Sequence, residues 1–134
     1  MKPYFKELLG IFNAREVEYL VVGSYAVIFY TVPRFTKDSD VWVNPTEENA
    51  RRVFEALQEY GGSLAGISWS DFTIPGNVYQ MGVTMERIDV ITQMEGAVFS
   101  DCWSRRIDFL YDGQLVHFLE KADLIANIKA VGRG

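Results

Sequence analysis

The apolar positions of this chain follow two periods, and the switches between them mark out its elements. Phe5, Leu8, Leu9 and Phe12 recur at i, i+3, i+4 and i+7, which predicts an amphipathic helix over residues 3–14. Residues 18–22 (EYLVV) read as a short strand that ends at Gly23. Residues 25–30 (YAVIFY) are apolar all round, so a helix there must be buried on most sides, and Pro33 ends it. Residues 38–43 form a second strand, with Asp38, Asp40 and Trp42 on one face and Ser39, Val41 and Val43 on the other. Asn44-Pro45-Thr46-Glu47 predicts a helix start, with Asn44 as N-cap, Pro45 at the first helical position and Glu47 completing a capping box. Ala50, Val53, Phe54 and Leu57 supply that helix's packing face, and Gly61-Gly62 stops it.

The second half is less regular. Residues 63–76 carry no readable period, although Ile74-Pro75-Gly76-Asn77 reads as a turn. Residues 78–83 and 86–92 are two strands whose short connection predicts an antiparallel pair. Residues 95–104 fit either a short helix or a loop. Asp112-Gly113 between the apolar runs 106–110 and 114–119 is a hairpin signal. A last helix starts near Glu120, with Leu124, Ile125 and Ile128 on one side. The elements sum to an α/β (α+β) fold with a small mixed sheet flanked by helices. No repeat or linker interrupts residues 1–134, so one domain is expected.

Composition narrows the chemistry. The 134 residues are 49% hydrophobic and 23% charged, as in ordinary globular chains. No apolar run approaches the roughly 18–20 residues that span a bilayer, and the N-terminus lacks a signal-peptide core. Cys102 is the one cysteine, so no internal disulfide forms, which fits a cytoplasmic setting. A net charge of −5 argues against broad nucleic-acid binding. One Cys and one His exclude a zinc site of the usual Cys/His kind.

What remains is a set of carboxylates and a glycine-serine turn. Asp38 and Asp40 point to the same face of their strand. Asp89 lies inside an otherwise apolar strand (IDVI), where an acid is rare unless paired or bound to a cation. If the two strands are neighbours, three carboxylates converge. Such a cluster needs protons or a divalent cation to relieve it, and oxygen-only ligands favour Mg²⁺, Mn²⁺ or Ca²⁺. Gly23-Ser24, opening a helix, offers backbone N–H groups to an anion, a role compatible with Ser24 as a plain N-cap.

Gly23-Ser24, then Asp38-x-Asp40, then the apolar-flanked Asp89 resemble the nucleotidyltransferase fold of the DNA polymerase beta superfamily. The run Arg34-x-Thr36-x-Asp38-x-Asp40 and the closing Asp123-Leu124-Ile125 … Gly132-Arg133 are similar to the small bacterial minimal nucleotidyltransferases, including the toxin-like group of abortive-infection systems. The likeness runs from about residue 16 to the end. It implies two Mg²⁺ ions (Mn²⁺ as a substitute), with Asp38 and Asp40 binding both and Asp89 completing the catalytic one. It implies NTP phosphates held at Gly23 and Ser24, with Arg34, Thr36 and Lys129 as further nucleotide-binding residues. The reaction implied is transfer of an NMP group to a hydroxyl of RNA such as tRNA, of a protein or of a small molecule, with an antitoxin protein as a partner. Three departures stand out: Ser39 where relatives are usually apolar, Ile128 where they often carry lysine, and an end at Gly134 where they continue into another helix. The resemblance therefore implies that a C-terminal helical segment is lacking.

Blander readings stand beside these. Arg34 is either a phosphate ligand or the partner of a surface acid. Lys129 and Arg133 are also plain helix-end cations. His117 and Cys102 read as structural, and Arg105-Arg106 is thin evidence for a nucleic-acid acceptor. The alternative for the whole chain is a non-catalytic nucleotide- or partner-binding module on the same scaffold.

Overall fold

The computed structural model describes residues 1–31, 38–82 and 87–132. Helix α1 (Pro3–Ala14) buries Phe5, Leu8, Leu9 and Phe12, the face that the spacing predicts. Strand β1 (Tyr19–Val22) leads directly into α2 (Gly23–Tyr30). Strand β2 (Asp38–Val43) precedes α3 (Glu47–Tyr60), which Gly61 closes in the left-handed region at φ 94°. A 3-10 helix (Trp69–Thr73) fills the stretch without a readable period. Strands β3 (Val78–Met81) and β4 (Arg87–Ile91), helix α4 (Phe99–Ser104), strands β5 (Ile107–Tyr111) and β6 (Gln114–Phe118) and helix α5 (Lys121–Gly132) complete the chain.

The six strands form one sheet in the order β3-β4-β2-β1-β6-β5. β1 runs antiparallel to β2 and parallel to β6, and β2 runs parallel to β4. The β3–β4 and β5–β6 pairs are antiparallel. Asp112 and Gly113 both take positive φ, 51° and 78°, which is the tight hairpin turn that Asp-Gly predicts.

Alternation along the central strands splits the interior in two. Tyr19, Val21, Val41, Val43, Ile88 and Val90 face α1 and α3. Leu20, Val22 and Trp42 face the opposite way, against Phe99, Cys102, Leu119 and Leu124. Among the described residues, no helix is long and apolar enough to cross a membrane.

Several expectations are corrected. Thr46, not Asn44, is the N-cap of α3, and its hydroxyl accepts from the Asn49 N–H at 3.3 Å. Asn44 instead extends the β1 side of the sheet through its N–H to the Glu18 carbonyl, so Pro45 lies outside the helix. Asn49 holds the N3 position, so Glu47 completes no box; the Asn49 amide turns inward and bonds Glu18 N–H, Glu18 C=O and Asn44 C=O at 2.7–3.0 Å. The largely apolar α2 is fully buried only at Tyr25 and Ala26, and its side chains divide between the two sides of the interior, Tyr25 and Phe29 on one and Ala26, Val27 and Tyr30 on the other. Ile125 and Ile128 are exposed, and Leu124 alone of that side is buried in α5.

Candidate functional site

The site lies where β1 ends and β2 and β4 begin. Antiparallel pairing sets Val22 opposite Asp40, and parallel pairing sets Asp40 opposite Asp89. Gln80 of β3 faces Asp89 from the far side, so one row crosses four strands: Val22, Asp40, Asp89, Gln80. The parallel β2–β4 pairing thus brings the second and third predicted carboxylates to adjacent positions. Strands lie about 4.8 Å apart, and two carboxylates at such spacing repel by a few kcal/mol at an effective dielectric of about 20. Asp38 is one step of the same face away, with Arg87 as its register partner.

Gly23 is required by this arrangement. Its φ of +64° is a conformation that side-chain-bearing residues rarely adopt, and a Cβ there would collide with the Asp40 carboxylate, 3.1 Å from its Cγ. The first turn of α2 therefore lies against Asp40. No side chain caps α2, and its cap position is Val22, so Ser24 sits inside the first turn rather than capping it. Uncapped first-turn amides at the positive end of a helix suit an anion.

Asp89 is largely enclosed, its side chain 15% exposed, and its Oδ1 is buried without a hydrogen-bond partner. The Arg87 Nε stands 3.4 Å from that oxygen, close enough for an ion pair but without the alignment of a hydrogen bond. Ser39, between the two aspartates, points the other way and is satisfied: its hydroxyl lies 3.4 Å from the Tyr4 hydroxyl. Burial raises the pKa of the neighbouring Tyr25, whose hydroxyl accepts from the Lys2 N–H at 2.9 Å. These contacts tie α1 to the back of the site.

Other candidates sit elsewhere. Arg34 and Thr36 lie outside the described residues, as does Arg133. Lys129 is exposed in the last turn of α5. Arg105 is committed to a two-pronged pair with Asp123 at 2.9 and 3.0 Å, which joins the end of α4 to α5. Arg106 stacks on Trp103, 3.9 Å from its ring centre, and pairs with Asp108 at 3.1 Å. His117 Nδ1 meets Asp108 at 2.6 Å, with its ring against Tyr19 and Trp103, a structural setting. Cys102 is core, and burial pushes its thiol up to about 11. Among the described residues, no group of three or more His, Cys, Asp or Glu is placed to hold a metal ion, and the side chain of Asp38 lies outside that description. Sequence reasoning missed Arg87. The available signal was its i, i+2 relation to Asp89 on one strand.

No protein-family profile matches the chain, and no curated protein is detectably similar to it. Among solved structures, it is similar to a Thermotoga maritima protein named as a candidate nucleotidyltransferase. The TM-score is 0.69 and the identity 12%, covering 96% of this chain and 82% of the other. The fold is nucleotidyltransferase-like.

Proposed function

We propose that this protein is a metal-dependent nucleotidyltransferase that moves an NMP group from an NTP to an acceptor hydroxyl. The observation carrying the proposal is the row in which Gly23 lies against Asp40 and Asp40 pairs with Asp89. It sets a helix start suited to phosphate beside carboxylates suited to a hard cation. A buried Asp89 oxygen lacking a hydrogen bond, an all-oxygen donor set and the absent Cβ at Gly23 fit Mg²⁺ or Mn²⁺, with Asp38 supplying the third carboxylate. Bound there, two such ions would stabilise charge on the entering and leaving oxygens of an in-line displacement. Gly23 and Ser24 would hold the outer phosphates, with Arg34, Thr36 and Lys129 as further nucleotide contacts. Asp89 would take the proton as the acceptor oxygen bonds to the α-phosphorus and the bond to the bridging oxygen breaks, releasing pyrophosphate. The acceptor class (tRNA, protein or small molecule) and a toxin role opposed by an antitoxin rest on resemblance.

One observation favours a second reading. Arg87 beside Asp89 is also what a non-catalytic nucleotide- or partner-binding module would use as a permanent counter-ion. Melting curves with Mg²⁺ and NTP test the site. Ligand at a hundredfold over its Kd adds about 2.7 kcal/mol, a rise of roughly 5–10 °C for a domain of this size. The rise is expected in the wild type and absent in Asp40→Asn; an unchanged wild-type curve counts against the site. Labelled NTP with pooled tRNA, protein and aminoglycoside acceptors separates enzyme from binder, and transfer surviving Asp38→Ala would sink the roles assigned.

A further inference from the structure

Among the described residues the sheet ends at β5, whose outer edge carries no strand. The hairpin decides which of its backbone groups face outwards. The two-residue turn at Asp112-Gly113 is closed by a hydrogen-bonded pair, Tyr111 with Gln114, so Phe109–Val116 and Ile107–Phe118 are hydrogen-bonded pairs in their turn. Asp108 and Leu110 hold the alternate positions, and their N–H and C=O groups point away from β6. The same alternation turns the Leu115 carbonyl out on the other side of the hairpin, where it accepts from the Asn13 Nδ2 at 2.7 Å. Sheets commonly guard a free edge with lysine, proline or a bulge. Strand β5 (IDFLY) has no lysine or proline, and it matches β6 residue for residue without a bulge. Its side chains are apolar and open to solvent instead: Ile107 is 38% exposed, Phe109 46% and Leu110 67%.

We infer that this edge is a self-association surface, on which β5 of a second copy adds antiparallel about a two-fold axis and joins two six-stranded sheets into one. The outward groups allow the axis to pass through Asp108, Phe109 or Leu110, and charge selects among these. An axis at Asp108 sets that carboxylate against its own copy, and an axis at Leu110 sets Asp108 against Asp112. An axis at Phe109 avoids both. Asp108 then pairs with Leu110 of the second copy, and Leu110 with its Asp108, each pair exchanging both backbone hydrogen bonds. The two Phe109 positions meet at the axis, and Ile107 meets Tyr111. One step beyond each end of the strand, Arg106 falls opposite the exposed Asp112 of the second copy, so opposite charges close the ladder at both ends. Arg106 has a donor to spare for this: its Nε is on Asp108 and its Nη1 on the Trp103 carbonyl, and its Nη2 has no partner among the described residues. A contact this short belongs to the small, reversible class of interfaces. Strands β1 and β6 separate β5 from the candidate carboxylates on β2 and β4, so the inference stands apart from the catalytic reading.

Sedimentation velocity over a hundredfold range of protein concentration, about 5 to 500 µM, tests it. The wild type is expected to pass from monomer to dimer across that range, with no larger species. Leu110→Pro removes an outward N–H and leaves the β5–β6 hydrogen bonds in place, as proline does on edge strands. It should raise the dimer dissociation constant about tenfold or more. Leu110→Lys puts a charge on the edge without touching the backbone and carries the same expectation if the proline variant does not fold. Asp112→Asn keeps the turn and removes the end charges, and should weaken the dimer about threefold. Val78→Lys, 55% exposed on β3 at the opposite edge, should dimerise as the wild type does. A wild type that stays monomeric throughout, or a dimer that survives both Leu110 variants, overturns the inference. So does a dimer lost in Val78→Lys, or an association that grows past two copies. An Asp112→Asn variant that dimerises as tightly as the wild type overturns the register centred on Phe109.

Discussion

The face of the sheet under α1 and α3 buries Phe5, Leu8, Leu9, Phe12, Val53 and Leu57 against five of the strands, and the 3-10 helix adds Phe72. The opposite face closes over a shorter row, Leu20, Trp42, Phe99, Cys102, Leu119 and Leu124. The candidate carboxylates belong to the second face, since Asp40 and Trp42 alternate with Val41 and Val43. One face is a platform that fixes strand positions. The other is thin enough to leave charged side chains within reach of a ligand. Functional groups are drawn from regions of low local packing, and the contrast here follows that division.

Three substitutions would break or sharpen the contrast. The largest effect is expected from Phe12→Ala, at the fully buried centre of the platform. It should cost about 3–5 kcal/mol in urea denaturation. A cost under about 1 kcal/mol would mean that the platform is not what holds the sheet. Next is Leu124→Ala, which removes the one buried anchor on its side of α5. A smaller loss of about 2–3 kcal/mol is expected, with a local signature. Burial pushes the Cys102 thiol up to about 11, so at neutral pH it stays protonated and should react slowly with a disulfide reagent. Opening of α5 in Leu124→Ala should speed that reaction, whereas a stabilised thiolate would show no such link. The smallest effect is expected from Ile128→Lys, on the exposed side of α5, within about 0.5 kcal/mol of wild type. A clear loss there would show that this side is covered in solution.

The regular elements were legible because their signals are local. Helix α1 follows from four residues at helical spacing, the hairpin from Asp112-Gly113, and the face assignment of β2 from alternation alone. What stayed illegible was decided by distant partners. The cap of α3 moved to Thr46 because Asn44 was taken up by Glu18 and by the Asn49 amide, contacts that no local pattern announces. The 3-10 helix is held by a box between Ser68 and Asp71 in a stretch too short to show a period. The candidate site divides in the same way. Each aspartate can be picked out singly, but the Asp40–Asp89 adjacency is a parallel pairing across α3, the 3-10 helix and β3, and periodicity does not report it. Arg87 was overlooked because its closeness to Asp89 is a matter of three-dimensional placement that periodicity does not report.

The sheet order also bears on how the chain is made. Strands β1 to β4 can assemble once residues through Ile91 exist, yet the second edge of β1 pairs with β6, at Val21 and Phe118, near the far end of the sequence. A chain emerging from its N-terminus therefore carries an unpaired, wholly apolar β1 edge until Phe118 has been made. Contacts between residues so distant in sequence form slowly, and exposed strand edges recruit other chains. The order of synthesis thus favours low temperature and a low concentration of growing chains as the conditions that limit such recruitment.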